Sequence, residues 1–528
     1  MAGSFRDMIP PRAESDLLVQ AYLRTFQTVF GILSVSSFRD NYKYFWGNPV
    51  TASDKFLATL LLAMSLGSIF CSREIGIERT TVLRWIHSVS MWINSPKEMD
   101  QLDLDDLRTQ CLFSLARQAR DFNNDECWLP SDSLVRMAMH LGLHFDPEKH
   151  KLSDIPSSEI EARRRLWATV LELEVQSSMD HGNYPSVDSE HYDCAAPSNV
   201  DDVDAEGNVP APKPDNQLTE SSIQILLMRS VRARLRIARF LNTFQSDMPF
   251  DTALSLSSEL TESLMGCANI LEAYRMSTSP PTAFQTKLYD LLTRRFFLGL
   301  HHPFAVMAMK DPSYYYSRKM CIETSLFLCS QTTVSGDEDF QRLRLSGSGL
   351  FHNPYTQSVL YMCSELIDQA EVDGLLSTSS RETSLYKDMR IAAESYMDLA
   401  LGRIKLGERS IQSSLVVCCL LAQVDAVKAR AAVEPRISEA LGKYLERCHG
   451  CLMGRVQIAP DLTNWEIYGS PSRPSTADEA IDWSLWDEHM TNGNVDRSWG
   501  PAVLTPPNGR WRSQGLLHNF GEEPGYRH

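Results

Sequence analysis

Few residues in this chain have the types and spacing for chemistry. Cys448 and Cys451 form its one Cys-x-x-Cys pair. Such a pair holds zinc or cycles through a disulfide when a second ligand pair or a βα framework stands beside it. Neither is near, so the pair reads as the end of a helix. His140, His144 and Asp146, and His191 with Cys194, have ligand-like intervals but offer two or three donors each, where structural zinc takes about four. Packed or hydrogen-bonded histidines are the expectation. No phosphate-cradling glycine loop, nucleophile elbow or His-Glu-x-x-His occurs. Ser346-Gly347-Ser348-Gly349 has the wrong spacing for a nucleophile and predicts a flexible loop. Asp201-Asp202 and Asp337-Glu338-Asp339 predict solvated acidic faces. The expectation is therefore no catalytic residue, no metal and no cofactor. One basic element carries a sharper reading. Arg229, Arg232, Arg236 and Arg239 recur at three, four and three, which lines four guanidiniums on one helix face with Val231, Leu235 and Ala238 opposite. A row of cations suits a phosphate backbone; in an acidic chain it equally suits a solvated face paired with carboxylates.

The charge balance sets these residues in context. The chain has 528 residues, 43% hydrophobic and 22% charged, with net charge −16. That is an ordinary globular composition with length for several cores, and its acidity argues against autonomous DNA binding. Twelve cysteines lie scattered among apolar neighbours, and no Asn-x-Ser/Thr acceptor occurs. Both fit reduced thiols inside a cell. The N-terminus has no apolar core of the signal-peptide kind. The longest apolar run, Phe56 to Phe70, is 15 residues, short of the ~20 that span a bilayer, so no membrane partner is expected.

The elements that must position any site are helices. Apolar residues recur at three and four throughout, as in Leu18, Tyr22 and Phe26, or Leu83, Ile86 and Val89, and no segment alternates every second residue. An all-α, multi-helix fold follows. Five regions are expected: an irregular 1–13, a helical block 14–202, a proline-rich linker 203–219, a second helical block 220–452, and a mostly irregular tail 453–528 rich in Trp and Pro. Helices are predicted over 14–33, 51–70 and 220–244, and a helix pair over 284–309 broken near His301 to Pro303. In the tail, Asp482, Trp483, Trp486, Asp487 and Glu488 have the composition of an acidic activation segment that meets a coactivator through aromatics.

The stretch from Glu161 to Asp202 organises the rest. Ser158 and Glu161 have capping-box spacing, and Ala162, Leu166, Val170 and Leu173 form an amphipathic stripe. Arg163, Arg164 and Arg165 lie near the helix start, where the macrodipole does not favour cations, so carboxylate partners from elsewhere are expected. Trp167 should pack where that turn meets the body. Gly182 and Pro185 end the helix, and an extended acidic run through Asp193, Pro197 and Asn199 closes on Asp202.

These residues resemble the middle homology, or regulatory, domain of fungal zinc-cluster transcription factors. That family has an Arg-Arg-Arg-Leu-Trp helix start, a Gly-to-Pro turn, and an acid-bearing segment closing on Pro-x-Asn-x-Asp-Asp. Here the turn reads Gly182-Asn183-Tyr184-Pro185, where the family has Gly-Arg-Pro. Leu18, Val19, Tyr22, Phe38, Tyr42, Phe45 and Trp46 match its opening, and Leu300, His301, Pro303, Phe304, Tyr314, Ser317, Arg318 and Lys319 match a later element. The resemblance covers roughly residues 14 to 450. The family's six-cysteine cluster has no counterpart, since no cysteine precedes Cys71. The resemblance implies a nuclear transcription regulator of metabolic or biosynthetic genes. It would act through protein partners, a DNA-binding transcription factor or a coactivator, with a small-molecule effector held between helices and DNA engaged indirectly or weakly. Two other readings stay open: an enzyme on a helical scaffold with a cleft near Trp167, Tyr184 and His301, or a non-catalytic scaffold protein.

Overall fold

The computed structural model describes residues 5–71, 77–95, 102–120, 131–150, 155–202, 209–243, 248–329, 337–376, 384–408 and 410–458. Cys127 and the acidic, Trp-rich segment around Trp483 lie outside the described residues. The described residues form helices and contain no strand. In order these are α1 (Arg12–Arg24), α2 (Gln27–Phe30), α3 (Val35–Gly47), α4 (Asp54–Gly67), α5 (Arg79–Ile93), α6 (Leu104–Arg120), α7 (Ser131–His140), α8 (Ser157–His181) and α9 (Ser222–Asn242). There follow α10 (Phe250–Arg275), α11 (Ala283–Met307), α12 (Tyr315–Cys329), α13 (Glu338–Ser346), α14 (Asn353–Leu376), α15 (Ser384–Leu406), α16 (Gln412–Ala429) and α17 (Val433–Ile458). The all-α expectation holds.

Two apolar cores underlie this arrangement. The larger draws on α1 to α11, on α13, and on Leu350, Phe351 and Tyr355. The smaller draws on the end of α11 and on α12, α14, α15, α16 and α17. Helices before and after the proline-rich segment share the larger core. α11 serves both, sending Leu292, Phe296 and Leu300 into the first and Leu298 and Ala305 into the second. α16 is long and apolar enough to cross a membrane; here it packs against α14, α15 and α17.

Several expectations are corrected. The first helix begins at Arg12 and ends at Arg24, where Thr25 and Phe26 turn the chain into α2. The predicted break near His301 to Pro303 does not occur, because α11 runs through Pro303 to Met307. Proline removes one N–H and crowds the preceding turn, and burial from Phe284 to His301 before it, with Phe304 and Ala305 after it, holds the helix together there. Thr282 and Gln285 start this helix with a full capping box. The loop expected at Ser346 to Gly349 is instead a tight contact with α6. The Ser348 N–H donates to the Ala119 carbonyl at 2.9 Å. Gly349 has φ +51°, and a Cβ there would lie 2.6 Å from the Gln118 carbonyl oxygen, so only glycine fits. Asp337 is buried and ion-paired with Lys287, and Asp339 takes both forks of Arg24 at 2.8 and 2.9 Å. Asp337 is therefore an internal structural partner, whereas Glu338 and the Arg24–Asp339 pair lie at the surface as expected.

Candidate functional site

The site is built on α8. Ser157, directly after Pro156, opens the helix, and no side chain caps it. The capping box expected from Ser158 and Glu161 does not form, because Glu161 turns to Arg165 and to the Ser198 N–H. The amphipathic stripe is corrected too: Leu166 to Ser178 is buried on every side. A helix sunk in this way must satisfy its polar groups internally. Glu172 does so with Arg234 of α9, through two bonds of 2.8 Å. Glu174 accepts from both the N–H and the hydroxyl of Ser186. Gln176 donates to the Leu292 carbonyl and accepts from Arg295, which also pairs with Asp180.

Arg164 and Arg165 have the carboxylate partners from elsewhere that their placement demanded, while Arg163 has only a carboxylate of its own helix. Arg163 holds Glu159 and the Leu141 carbonyl. Arg164 grips Asp146 with Nε and Nη2 at 3.1 and 2.9 Å and reaches Glu148 at 2.7 Å. Asp146 is 1% exposed. Burial alone would raise its pKa, but the bonds from Arg164 and from the N–H groups of Ala195 and Glu148 prevail and hold it at about 2. Arg165 joins Glu161, the Val200 and Asp201 carbonyls, and Asp202. Trp167 is fully buried, edge-on to Tyr192 at 5.4 Å and near His144 at 6.4 Å.

The run after α8 is a strap laid back along the helix. Gly182 ends α8 in the left-handed region, φ +66°, and Pro185 is buried. Asp193 accepts the Asp146 N–H at 2.9 Å, contacts His150 at 2.9 Å, and gives its own N–H to the His144 carbonyl. Asn199 is the tightest clasp. Its amide nitrogen donates to the carbonyls of Lys213, Pro214 and Gln217, and its amide oxygen accepts from Thr219 and Ser222. It thereby binds the strap to the entry of α9. Asp202 closes the strap: Oδ2 accepts the N–H groups of Val35 at 2.7 Å and Ser36 at 3.3 Å, capping α3, while Oδ1 faces Arg165 at 3.5 Å. Gln224 ties α9 to this corner through Phe30, Arg165 and Thr169.

The remaining singled-out residues lie elsewhere. His301 is buried between Ser317 at 2.9 Å and Ser257 at 2.8 Å, and burial lowers its pKa to about 4. Arg318 holds Glu365 with Nε and Nη2. On α9, Arg229 pairs with Asp215, Arg236 with Glu259 and Arg239 with Asp188, while Arg232 lies against the Tyr192 hydroxyl. Val231, Leu235 and Ala238 are buried on the other side. Sequence spacing gave no sign of Asp146, Glu172, Arg234 or Asp180 as partners. The buried Arg234 sits inside the basic run and was hidden by it.

A cavity of about 640 Å³ opens beside the arginine turn, among Ile32, Leu33, Leu104, Arg108, Arg165 and Asp202. Trp167, Tyr184 and His301 do not line it. His301 is enclosed and Tyr184 is exposed, so those three make no common cleft. Among the described residues, no group of three or more His, Cys, Asp or Glu side chains is arranged to hold a metal.

The described residues thus form an all-helical body whose acid-closing strap is clasped to an arginine-led helix. Residues 19–300 match the fungal specific transcription factor domain, and the chain belongs to that family. It is 32% identical over 488 residues to transcription factor lepE of Aspergillus flavus, covering 88% of this chain and 59% of that protein. It is 31% identical over 511 residues to transcription factor opdR of Penicillium oxalicum, covering 90% and 64%. It is 32% identical over 466 residues to the aspyridones cluster regulator apdR of Emericella nidulans, covering 84% and 59%. The chain thus spans about three fifths of the length of these relatives. No solved structure matches it.

Proposed function

We propose that this chain is the regulatory body of a nuclear transcription regulator that governs a biosynthetic gene cluster. DNA contact is supplied by a DNA-binding partner, and activity is biased by a small effector in the cavity beside Arg165. The observation that carries the reading is similarity along nearly the whole chain to relatives named as transcription factors, one a cluster regulator. Two structural features support it. Three of the four arginines in the α9 row are ion-paired with the chain's own acids, which leaves little of that row for a phosphate backbone. The cavity abuts the strap's closing contact between Arg165 and Asp202, so a bound ligand would add its own contacts to that closure.

The test is a fusion of residues 1–528 to an unrelated DNA-binding domain, read on a reporter carrying that domain's site. The expected result is an output that differs from the DNA-binding domain alone and a fluorescent version that collects in the nucleus. A fusion indistinguishable from the DNA-binding domain would overturn the reading. In gel shifts the purified chain should bind duplex DNA weakly, without sequence choice, and lose it as salt rises; a tight, sequence-selective complex would refute indirect engagement.

A further inference from the structure

We infer that the cavity beside α8 receives a small amphipathic carboxylate on the free edge of Arg108. This rests on the effector reading above and gives the ligand's chemistry. At about 640 Å³ the cavity has the size of sites that hold small organic molecules. Ile32, Leu33, Leu104, Leu141, Ala162 and Leu166 give it apolar walls for a ligand's body.

The polar side is decided by which guanidiniums have vacant donors. Arg163 is committed to Glu159 and the Leu141 carbonyl. Arg165 is committed to Glu161, Asp202 and two carbonyls. Arg108 is different. Its Nη1 donates to Asp105 at 2.5 Å, and that is its one polar contact among the described residues. Nε has no partner and is buried. An unmet buried donor costs free energy that an arriving acceptor recovers. The adjacent Nε and Nη2 form an edge that matches a carboxylate in two parallel bonds. Asp105, with 63% of its side chain exposed, does not pin the arginine head, so a small swing offers that edge to the cavity.

The surrounding charge tolerates one more anion. The lining carboxylates are Asp103, Asp105, Glu159, Glu161, Asp201 and Asp202. Each already accepts from a cation or a backbone N–H: Lys55, Arg108, Arg163, Arg165 and Lys213 are the cations, and Asp103 and Asp202 also cap α6 and α3. The starts of α3, α6 and α8 meet at the cavity, each carrying about half a positive charge. Counting Asp106, which shares Lys55 with Asp103, seven carboxylates, five cations and three helix starts come close to balance, and no lining carboxylate is left without a donor to recruit a cationic ligand.

The experiment is calorimetric titration of the full chain with three probes of one shape: 4-phenylbutanoate, 4-phenylbutan-1-ol and 4-phenylbutylamine. The acid should bind at one site, about tenfold tighter than the alcohol, and the amine should not bind. Arg108→Met should bring the acid down to the alcohol's affinity and leave the alcohol unchanged. Asp105→Asn should tighten the acid. If Arg108→Met does not fold, as judged by circular dichroism, Arg108→Lys keeps the charge, loses the two-pronged edge, and should weaken the acid alone. Equal binding of acid and alcohol, preference for the amine, full acid affinity without Arg108, or no binding by any probe would each overturn the assignment. None of these outcomes alters the reporter result, so failure of this site and failure of the regulatory reading are read separately.

Discussion

Replacing Arg164 by alanine tests the central claim about the arginine turn. The side chain makes three charge-assisted bonds, two to Asp146 and one to Glu148. Glu148 is exposed, so its bond adds little. Asp146 is buried, and its carboxylate would keep only the N–H groups of Glu148 and Ala195 as support. Breaking a buried pair by removing one partner costs about 3–5 kcal/mol at pH 7. The size of that loss should depend on pH in a defined direction. In the intact protein Asp146 has a folded pKa of about 2, below the ~3.9 of an unfolded chain. A depressed pKa contributes stability that is present above ~3.9 and is lost as pH falls toward 2. Without Arg164 the carboxyl's pKa rises, because burial is then the larger influence. Protonation relieves the unpaired charge, so the gap between wild type and variant should narrow from pH 7 to pH 4. Urea melts followed by circular dichroism at both pH values measure it. A change within about 0.5 kcal/mol at pH 7, or an equal gap at both, would refute the buried-pair argument.

Trp167→Ala should cost about 3–5 kcal/mol in the same melts, since it removes a fully buried ring from between Tyr192 and His144; a near-silent change would mean α8 is peripheral. Asn199→Ala should cost about 2–4 kcal/mol by leaving buried donors and acceptors of the α9 entry unmet, and should speed proteolysis within 186–202 in preference to the rest of the chain. Acid should destabilise the fold early. Burial lowers His301 and His302 to about 4, so the unfolded chain, with histidine near 6.5, binds protons that the folded one refuses. Stability should therefore fall as pH drops from about 6.5 to about 4, and His301→Gln should flatten part of that slope; an unchanged slope would remove His301 from the account.

What could be read ahead of the structure was whatever local periodicity carries. Helix class and most helix positions follow from apolar spacing of three and four, because burial on one side of a helix is written into neighbouring residues. The arginines at 163–165 announced that partners must exist, since cations at a helix start are locally unfavourable. The identity of those partners could not be read. Asp146 lies 18 positions from Arg164, Glu172 lies 62 from Arg234, and Val35 lies 167 from Asp202. No spacing rule spans such distances; only the packing of α7, α8, α9 and the strap brings them together. For the same reason apolar spacing alone predicts α8 to be half-exposed. An amphipathic helix and one buried on all sides differ in whether their polar residues find internal partners, and Glu172, Glu174 and Gln176 find theirs on α9, the strap and α11. Gly349 shows the converse. A run of small residues predicts mobility when read locally, yet a neighbouring helix backbone 2.6 Å from where a Cβ would sit demands the same composition. Chemistry-bearing residues are hidden in the same manner. Arg108 looks like any helix-surface arginine beside an aspartate three residues back, and its vacant edge becomes visible only once every other donor around the cavity has been assigned an acceptor.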